Sequence, residues 1–282
     1  MLSYWIMSIR YTKMDACGNL FMLIEWPKKI PLPSPETIRK WSNSSSGIGF
    51  DQLMIIEEPS SNEFDARYTT FNADGSEAEQ CGNGARCVAG YLTHKSNTKN
   101  IKLESLSGQV DASVINNNRI TTSLGIPKFR PKSLPYFYND NNSIHKASIN
   151  GCDLDYSVLS MGNPHAVIID DGLKEQDLNG ISDYMQNDKN LFPESVNVGF
   201  MKIKNKKELV LRVFERGVGE TLACGTGAAA AAAIGIKLYN LNLRLRVIMS
   251  GGILEVHWPS LEDQLWLTGE VNICYEGDID YV

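Results

Sequence analysis

The chain has six cysteines but no Cys-x-x-Cys pair, and none of its four histidines stands at metal-ligand spacing from a cysteine. A structural zinc site is therefore not expected, nor any other metal. Six cysteines in 282 residues are also too few for a disulfide scaffold. Basic residues are in deficit: 27 Lys and Arg against 33 Asp and Glu leave a formal net charge of −6. That argues against nucleic acid or an anionic membrane as partner, since either would want a basic surface. An anionic small substrate remains compatible, because a local site can be positive inside an acidic protein. No apolar run approaches the ~20 residues of a membrane span. The longest, Ala228 to Ile236, reads as a buried helix. The residues Met1 to Arg10 lack the charged and apolar regions of a secretory signal, so the reducing cytoplasm is the expected compartment. What is left is an ordinary globular composition, 43% hydrophobic and 21% charged, in a chain long enough for two domains.

What the chain does have is one sentence written twice. Phe71-Asn72-Ala73-Asp74-Gly75-Ser76-Glu77-Ala78-Glu79-Gln80-Cys81-Gly82-Asn83-Gly84-Ala85 is matched by Phe214-Glu215-Arg216-Gly217-Val218-Gly219-Glu220-Thr221-Leu222-Ala223-Cys224-Gly225-Thr226-Gly227-Ala228. The cysteines are offset by 143 positions. Asn19 and Asn163, Gln52 and Asn197, Gly108 and Gly252, and Gly125 and Gly269 repeat at 144 or 145. Anchors this evenly spaced imply a tandem duplication: two halves of one fold, related by a pseudo-two-fold axis, with a cleft between them.

Within each half the pattern is α+β. Strands are predicted over 52–57, 101–105, 109–115, 119–123, 166–170, 209–214, 243–250, 253–258 and 264–267 from β-branched and aromatic runs. Asn116-Asn117-Asn118 and Gly251-Gly252 are turn signals. A helix follows each repeated cysteine. Ala85, Val88, Ala89 and Leu92 mark the first, and the alanine run up to Leu238 marks the second. Each half thus resembles a sheet wrapped around one mostly apolar helix. Residues 126–145 contain Pro127, Pro131 and Pro135 and a polar Asn-rich stretch, and read as a linker. The expected domains are 1–125 with 270–282, and 126–269.

A cysteine at a helix start has a chemical use. The first helix amides lack internal partners and the dipole is positive there, which favours thiolate over thiol. The amides of Gly82, Asn83, Gly225 and Thr226 can hold a carboxylate, with glycine allowing close approach. Two such helices aimed at one cleft would grip an α-carboxylate and put a sulfur on each face of the α-carbon. One thiolate removes the proton and the other thiol delivers one from the opposite side, inverting the centre without a cofactor. Asn72, Asn163 and Asn197 are uncharged donors near strand ends. His165 and Glu215 are the natural tuners of the thiols, and Arg216 can clamp a second carboxylate through its fork.

These segments resemble the diaminopimelate epimerase family. The resemblance lies in Phe71 to Cys87, in Met161-Gly162-Asn163-Pro164-His165-Ala166-Val167, and in Glu215 to Ala228. Gly49-Phe50-Asp51-Gln52-Leu53 and Leu267-Thr268-Gly269 add to it. It covers nearly the whole chain. It implies a cofactor-independent epimerase interconverting LL- and meso-2,6-diaminopimelate, on the route to lysine and peptidoglycan, built as two similar α+β domains, each a curved, mostly antiparallel sheet around a central helix with the active site in the cleft between them, and paired as a homodimer. Carried over by position, Cys81 and Cys224 are the acid–base thiols, and Gly82, Asn83, Gly225 and Thr226 bind the reacting carboxylate. Asn72, Asn163, Asn197 and Arg216 hold the distal end. Asn19, Gln52 and Glu215 line the remainder, and His165 and Glu215 tune the thiols. The first family motif commonly reads Lys-Met-His-Gly-x-Gly-Asn-Asp-Phe, and here it is Lys13-Met14-Asp15-Ala16-Cys17-Gly18-Asn19-Leu20-Phe21. Cys17 has no partner in the second half, where Met161 stands, and is not expected to be catalytic. The alternatives are a racemase of another amino acid such as histidine on the same scaffold, a phenazine-biosynthesis-type isomerase, and a thiol-redox protein or a non-catalytic binding module. The last would have no use for both cysteines.

Overall fold

The computed structural model describes residues 7–78, 81–116, 118–129, 136–137, 142–170 and 172–281, the side chain of Gln176 excepted. Of the expected linker, 130–135 and 138–141 lie outside the described residues, as does Asn117 of the expected turn. The chain forms two compact units, Met1–Thr122 with Gly269–Val282, and Ser123–Thr268.

The first unit runs β1 (Met7–Ala16), β2 (Asn19–Glu25), α1 (Pro35–Ser42), β3 (Gln52–Glu57), β4 (Ala66–Asn72), β5 (Glu77–Ala78), α2 (Gly82–Ser96), β6 (Asn100–Ser105), β7 (Gly108–Asn116) and β8 (Arg119–Ser123), with β18 (Asn272–Tyr281) added from the end of the chain. Its sheet order is β18-β1-β2-β3-β4-β6-β7-β8, with β5 also paired to β4. β2–β3 and β4–β6 are parallel and the other pairs antiparallel. The second unit comprises β9 (His145–Ile149), β10 (Cys152–Ser160), β11 (Pro164–Ile169), α3 (Glu175–Asn187), β12 (Asn197–Asn205), β13 (Glu208–Glu215), β14 (Gly219–Thr221), α4 (Gly225–Tyr239), β15 (Arg244–Met249), β16 (Gly252–His257) and β17 (Trp266–Glu270). Its order, β9-β10-β11-β12-β13-β15-β16-β17 with β14 on β13, has the same pattern of parallel and antiparallel pairs. Both units are therefore mostly sheet, with two helices each among the described residues.

The repeat holds at the level of register. Phe71 faces Glu77 and Phe214 faces Glu220. Ala66 faces Leu103 and Leu209 faces Val247. Ser105 faces Gly108 and Met249 faces Gly252. One anchor departs from the sequence expectation. Ala16 pairs with Asn19 across a two-residue turn, whereas Ser160 pairs with Pro164 across a three-residue one. Asn19 is thus the first residue of a strand and Asn163 the last of a turn. The first turn is tight enough that Cys17 itself takes φ 58°, next to Gly18 at 79°, the twin positive values that two-residue hairpins demand. Asp15, at the position where the family motif carries His, accepts the Gly18 N–H at 2.9 Å and braces that turn.

Both faces of the central strands are covered, which is why they read as unbroken apolar runs instead of alternating ones. In β2, Phe21 and Leu23 join the cluster around α2 with Val88 and Ala89, while Met22 and Ile24 join Ile38 and Trp41 of α1. In β3, Met54 and Ile56 turn to α2, and Leu53 and Ile55 to α1, the period-two division of a strand. In the second unit α3 contributes Leu178, Ile181 and Met185 to the face with Ile168 and Val198. α4 packs along β10, β11, β12, β13, β15 and β16. A helix can be that enclosed only if its side chains are small, and Ala229 to Ala233 are all fully buried. The strand expected over 264–267 starts two residues later, because 258–263 close a turn in which the Trp258 indole donates to the Asp263 carbonyl at 3.0 Å.

The two central helices also begin and end alike. Cys81 and Cys224 are N-caps with extended backbone, and Asn97 and Asn240 are left-handed C-caps at φ 56° and 55°. This second repeated pair sits at the same offset as the cysteines, and it places the same helix in both halves.

Candidate active site

In the first unit, β4 ends at Asn72 and the chain turns back through Gly75 to α2. Gln52 and Asn72 are register partners. The Gln52 Nε2 donates to Asn72 Oδ1 at 3.0 Å, and Asn72 Nδ2 donates to Ser76 Oγ at 3.0 Å. The Cys81 Sγ accepts the Gly84 N–H at 3.3 Å, so the sulfur itself caps α2. Gly82 and Asn83 form the first turn, and Asn83 is buried. Its Oδ1 accepts from Arg86 Nη2 at 2.9 Å. Asn19 is half-buried, and among the described residues no side-chain bond links it to this group.

The second unit assembles more of its residues into one network. The Cys224 Sγ lies 3.5 Å from Thr226 Oγ1, Asn163 Nδ2 donates to that same hydroxyl at 3.4 Å, and His165 Nε2 is 3.0 Å from Asn163 Oδ1. Glu215, at the end of β13, accepts a 2.6 Å bond from Thr221 Oγ1 on β14. Asn197 Nδ2 donates to the Pro164 carbonyl at 3.0 Å, and its Oδ1 accepts the Arg216 N–H at 3.0 Å. The exposed Arg216 guanidinium meets the Glu194 carbonyl at 2.9 Å and, among the described residues, no carboxylate.

The electrostatics revise one expectation. The start of a helix was expected to favour thiolate at both cysteines, yet the Cys224 thiol is pushed well above its usual range. Burial is the larger cause and the neighbouring Glu215 carboxylate the second. Thr226 and the Gly227 amide pull the other way and lose. A thiolate taken wholly out of water beside an anion costs more than helix-end amides return. His165, fully buried and close to the Arg216 charge, is pushed down to about 3. It is neutral at working pH and reaches the Cys224 thiol only through Asn163 and Thr226, not as a cation.

The His165 shift carries a stability consequence. The unfolded imidazole protonates near 6.5 and the folded one near 3, so between those values the unfolded chain binds the extra proton. Stability from this residue is complete above about pH 6.5 and declines as pH falls toward 3. The urea midpoint is expected to drop between pH 7.5 and 5, and His165→Gln should reduce that drop. An NMR titration showing the His165 ring protonating above pH 5 would contradict this.

No disulfide joins any of the six cysteines, all of which are described. Among the described residues no cluster of three His, Cys, Asp or Glu side chains could hold a metal, and no helix is long and apolar enough to cross a membrane. Two contributors were missed by sequence reasoning: Thr221, which anchors Glu215, and Arg86, which anchors Asn83. Thr221 lies inside a repeated segment and Arg86 directly after one, but only the fold shows which atoms they reach.

The diaminopimelate epimerase family model matches residues 11–129 and 157–274. The chain is 40% identical over 276 residues to the diaminopimelate epimerase of Nitrosomonas europaea, covering 97% of this chain and all of that one. It is 39% identical to that of Acinetobacter baumannii (97% and 98% covered) and 37% to that of Azotobacter vinelandii (97% and 99%). Among solved structures, a probable proline racemase from Agrobacterium radiobacter is similar with TM-score 0.69 at 14% identity, covering 96% of this chain and 92% of that one. A phenazine biosynthesis protein of Bacillus anthracis is similar with TM-score 0.67 at 16% identity, covering 97% and 99%. These two likenesses carry the fold alone. By the family model and its full-length relatives, the chain belongs to the diaminopimelate epimerase family of isomerases, which serve lysine biosynthesis.

Proposed function

We propose that the protein interconverts LL- and meso-2,6-diaminopimelate by two-thiol acid–base catalysis, with the two units as its domains and Cys81 and Cys224 on opposite faces of one α-carbon. The observation that carries this reading is the repeated N-cap: each central helix starts on a cysteine, followed by a glycine and a polar residue. One sulfur, as thiolate, takes the α-proton and leaves the electron pair on the α-carbon, delocalised into the carboxylate. The amides of Gly82, Asn83, Gly225 and Thr226 stabilise that charge. The other thiol then gives its proton to the opposite face, which inverts the centre. Closure of the domains would keep water from the carbanion. The route uses no cofactor.

At the distal end, Asn72, Asn163, Asn197 and Arg216 would recognise the second amine and carboxylate. An exposed guanidinium that meets a carbonyl in place of an acid supports Arg216 as the carboxylate clamp. Asn19 and Gln52 would line the rest. Glu215 would keep the second thiol protonated, and His165 would act by hydrogen bonding through Asn163. A homodimer in the cytoplasm is the expected working form, and sedimentation of a fully active monomer would overturn the dimer.

The test is to incubate the reduced protein with LL-diaminopimelate in deuterated water. Deuterium at one α-carbon with inversion, unaffected by added pyridoxal phosphate, is the expected result. Exchange on histidine but not on diaminopimelate would assign a different racemase. No exchange on any amino acid would sink the proposal.

A further inference from the structure

The turn after β4 carries a chain of hydrogen bonds whose direction is fixed from one end. That end is Asp74. Its Oδ1 accepts the Ser76 N–H at 2.8 Å and the Ser76 hydroxyl at 2.6 Å. These two bonds, with the Arg39 charge near by, hold its carboxyl below the usual range. Asp74 is therefore an anion at neutral pH and can only accept. A hydroxyl has one proton, and Ser76 gives its proton to Asp74. The Ser76 oxygen accepts in turn, from Asn72 Nδ2 at 3.0 Å. That turns Asn72 Oδ1 toward β3, where it accepts from Gln52 Nε2 at 3.0 Å. Reversing the Gln52 amide would set its oxygen against Asn72 Oδ1, two acceptors face to face. Gln52 Oε1 is left at the far end of the chain. It is buried and, among the described residues, has no hydrogen-bond partner. A buried acceptor left unanswered is costly, and a fold keeps one where a ligand supplies the N–H.

The backbone under this chain is pinned separately. The Asn72 N–H donates to the Ser76 carbonyl at 2.8 Å, and the Gly75 N–H to the Asn72 carbonyl at 2.9 Å. From α1, Arg39 Nη1 donates to the Asp74 carbonyl at 2.8 Å and Ser42 Oγ to the Ala73 carbonyl at 2.9 Å. The second half is built differently. The positions matching Asn72, Asp74 and Ser76 are Glu215, Gly217 and Gly219. There the hydroxyl is that of Thr221, and it donates to the Glu215 carboxylate. We propose that Asp74 and Ser76 are positioning residues: they fix the direction of the Asn72 and Gln52 amides, so that the first unit offers the Gln52 carbonyl oxygen to an N–H donor, an ammonium group of the substrate. A carboxylate placed there would meet a second acceptor, so the chain separates amine from carboxylate at that point. This inference rests on the proposed role of Asn72 and Gln52 in holding diaminopimelate.

Spectra and kinetics together test it. In nitrogen–proton correlation spectra of the full-length protein, the side-chain NH2 signals of Gln52 and Asn72 are identified by their loss in Gln52→Glu and Asn72→Asp. Ser76→Ala should move both signals, although two hydrogen bonds separate Gln52 from Ser76, and Ser76→Thr should restore them. With LL-diaminopimelate, Ser76→Ala should raise KM about 3- to 10-fold at nearly unchanged kcat, the weight of one hydrogen bond. In a Gln52→Ala background the same substitution should add little, because its effect passes through Gln52. Asp74→Asn should move the same signals the same way by less, since a neutral amide accepts more weakly than a carboxylate, and it decides the matter if Ser76→Ala does not fold. An unmoved Gln52 signal in the folded variant would overturn the proposal. So would a KM rise that persists in full in the Gln52→Ala background. If the unsubstituted protein does not turn over diaminopimelate, the substrate reading fails instead, and the Gln52 signal still tests the amide chain.

Discussion

Replacing either Cys81 or Cys224 with serine is expected to lower kcat/KM for epimerisation by about 10²- to 10⁴-fold, the usual weight of a positioned acid or base. A serine hydroxyl is far too weak an acid to hold the anion that a thiol holds near neutrality. The two losses should differ in kind. In Cys224→Ser the Cys81 sulfur can still remove a proton from its own face and, after exchange with solvent, return a deuteron to that face. Deuterium then enters one stereoisomer of diaminopimelate without inversion. Cys81→Ser should do the same only for the other stereoisomer, and more slowly, because Cys224 is buried beside Glu215 and resists forming thiolate. Mass spectrometry joined to chiral separation reads both results. Inversion at the native rate in either variant would remove that cysteine from the mechanism.

The largest expected effect on stability comes from Gly75→Ala. Gly75 has φ +86° in the turn between Asn72 and α2, and an added Cβ would stand 2.5 Å from the Pro35 Cα and 2.8 Å from the Pro35 carbonyl oxygen. Those are backbone atoms at the first residue of α1 and cannot swing aside. Left-handed strain of about 1–2 kcal/mol and overpacking of about 1–3 kcal/mol both apply, for a loss of about 2–5 kcal/mol. Gly217 in the second unit is a control. Its φ is +76°, but nothing lies within 4 Å of an added Cβ, so Gly217→Ala should lose only the conformational part, about 1–2 kcal/mol. Urea midpoints at unchanged slope measure both. Equal losses would mean that Pro35 does not crowd the site. Because this turn presents Asn72 to Gln52, Gly75→Ala should also raise KM.

Some features were legible in the residues and others were not, for physical reasons. The duplication was legible because a shared backbone needs glycine, proline or small residues at the same places, and those survive as spaced anchors. The central helices were legible because an enclosed helix must be alanine- and glycine-rich. Strands β1, β2, β4, β5, β9, β10, β12, β14 and β18 and helices α1 and α3 were missed. In β2 the cause is clear: Phe21 to Ile24 are buried on both faces, so alternation, the main strand signal, is erased. In β18 it is the reverse, with Cys274 and Tyr275 exposed among charges, and only pairing with β1 makes it a strand.

The sequence by itself determined which family this is, which two thiols repeat and which glycines flank them, because catalytic chemistry and tight backbone geometry each admit few residue types. It could not decide how those thiols differ. A helix start favours thiolate in either copy, and only the tertiary structure sets burial and neighbours against that tendency. It buries Cys224 near Glu215, encloses His165 close to the Arg216 charge, and sets Arg86, on the helix that Cys81 caps, against the Asn83 amide oxygen. Desolvation and the partners that replace water depend on atoms distant in the chain, and those are known only once the sheet has wrapped around the helix.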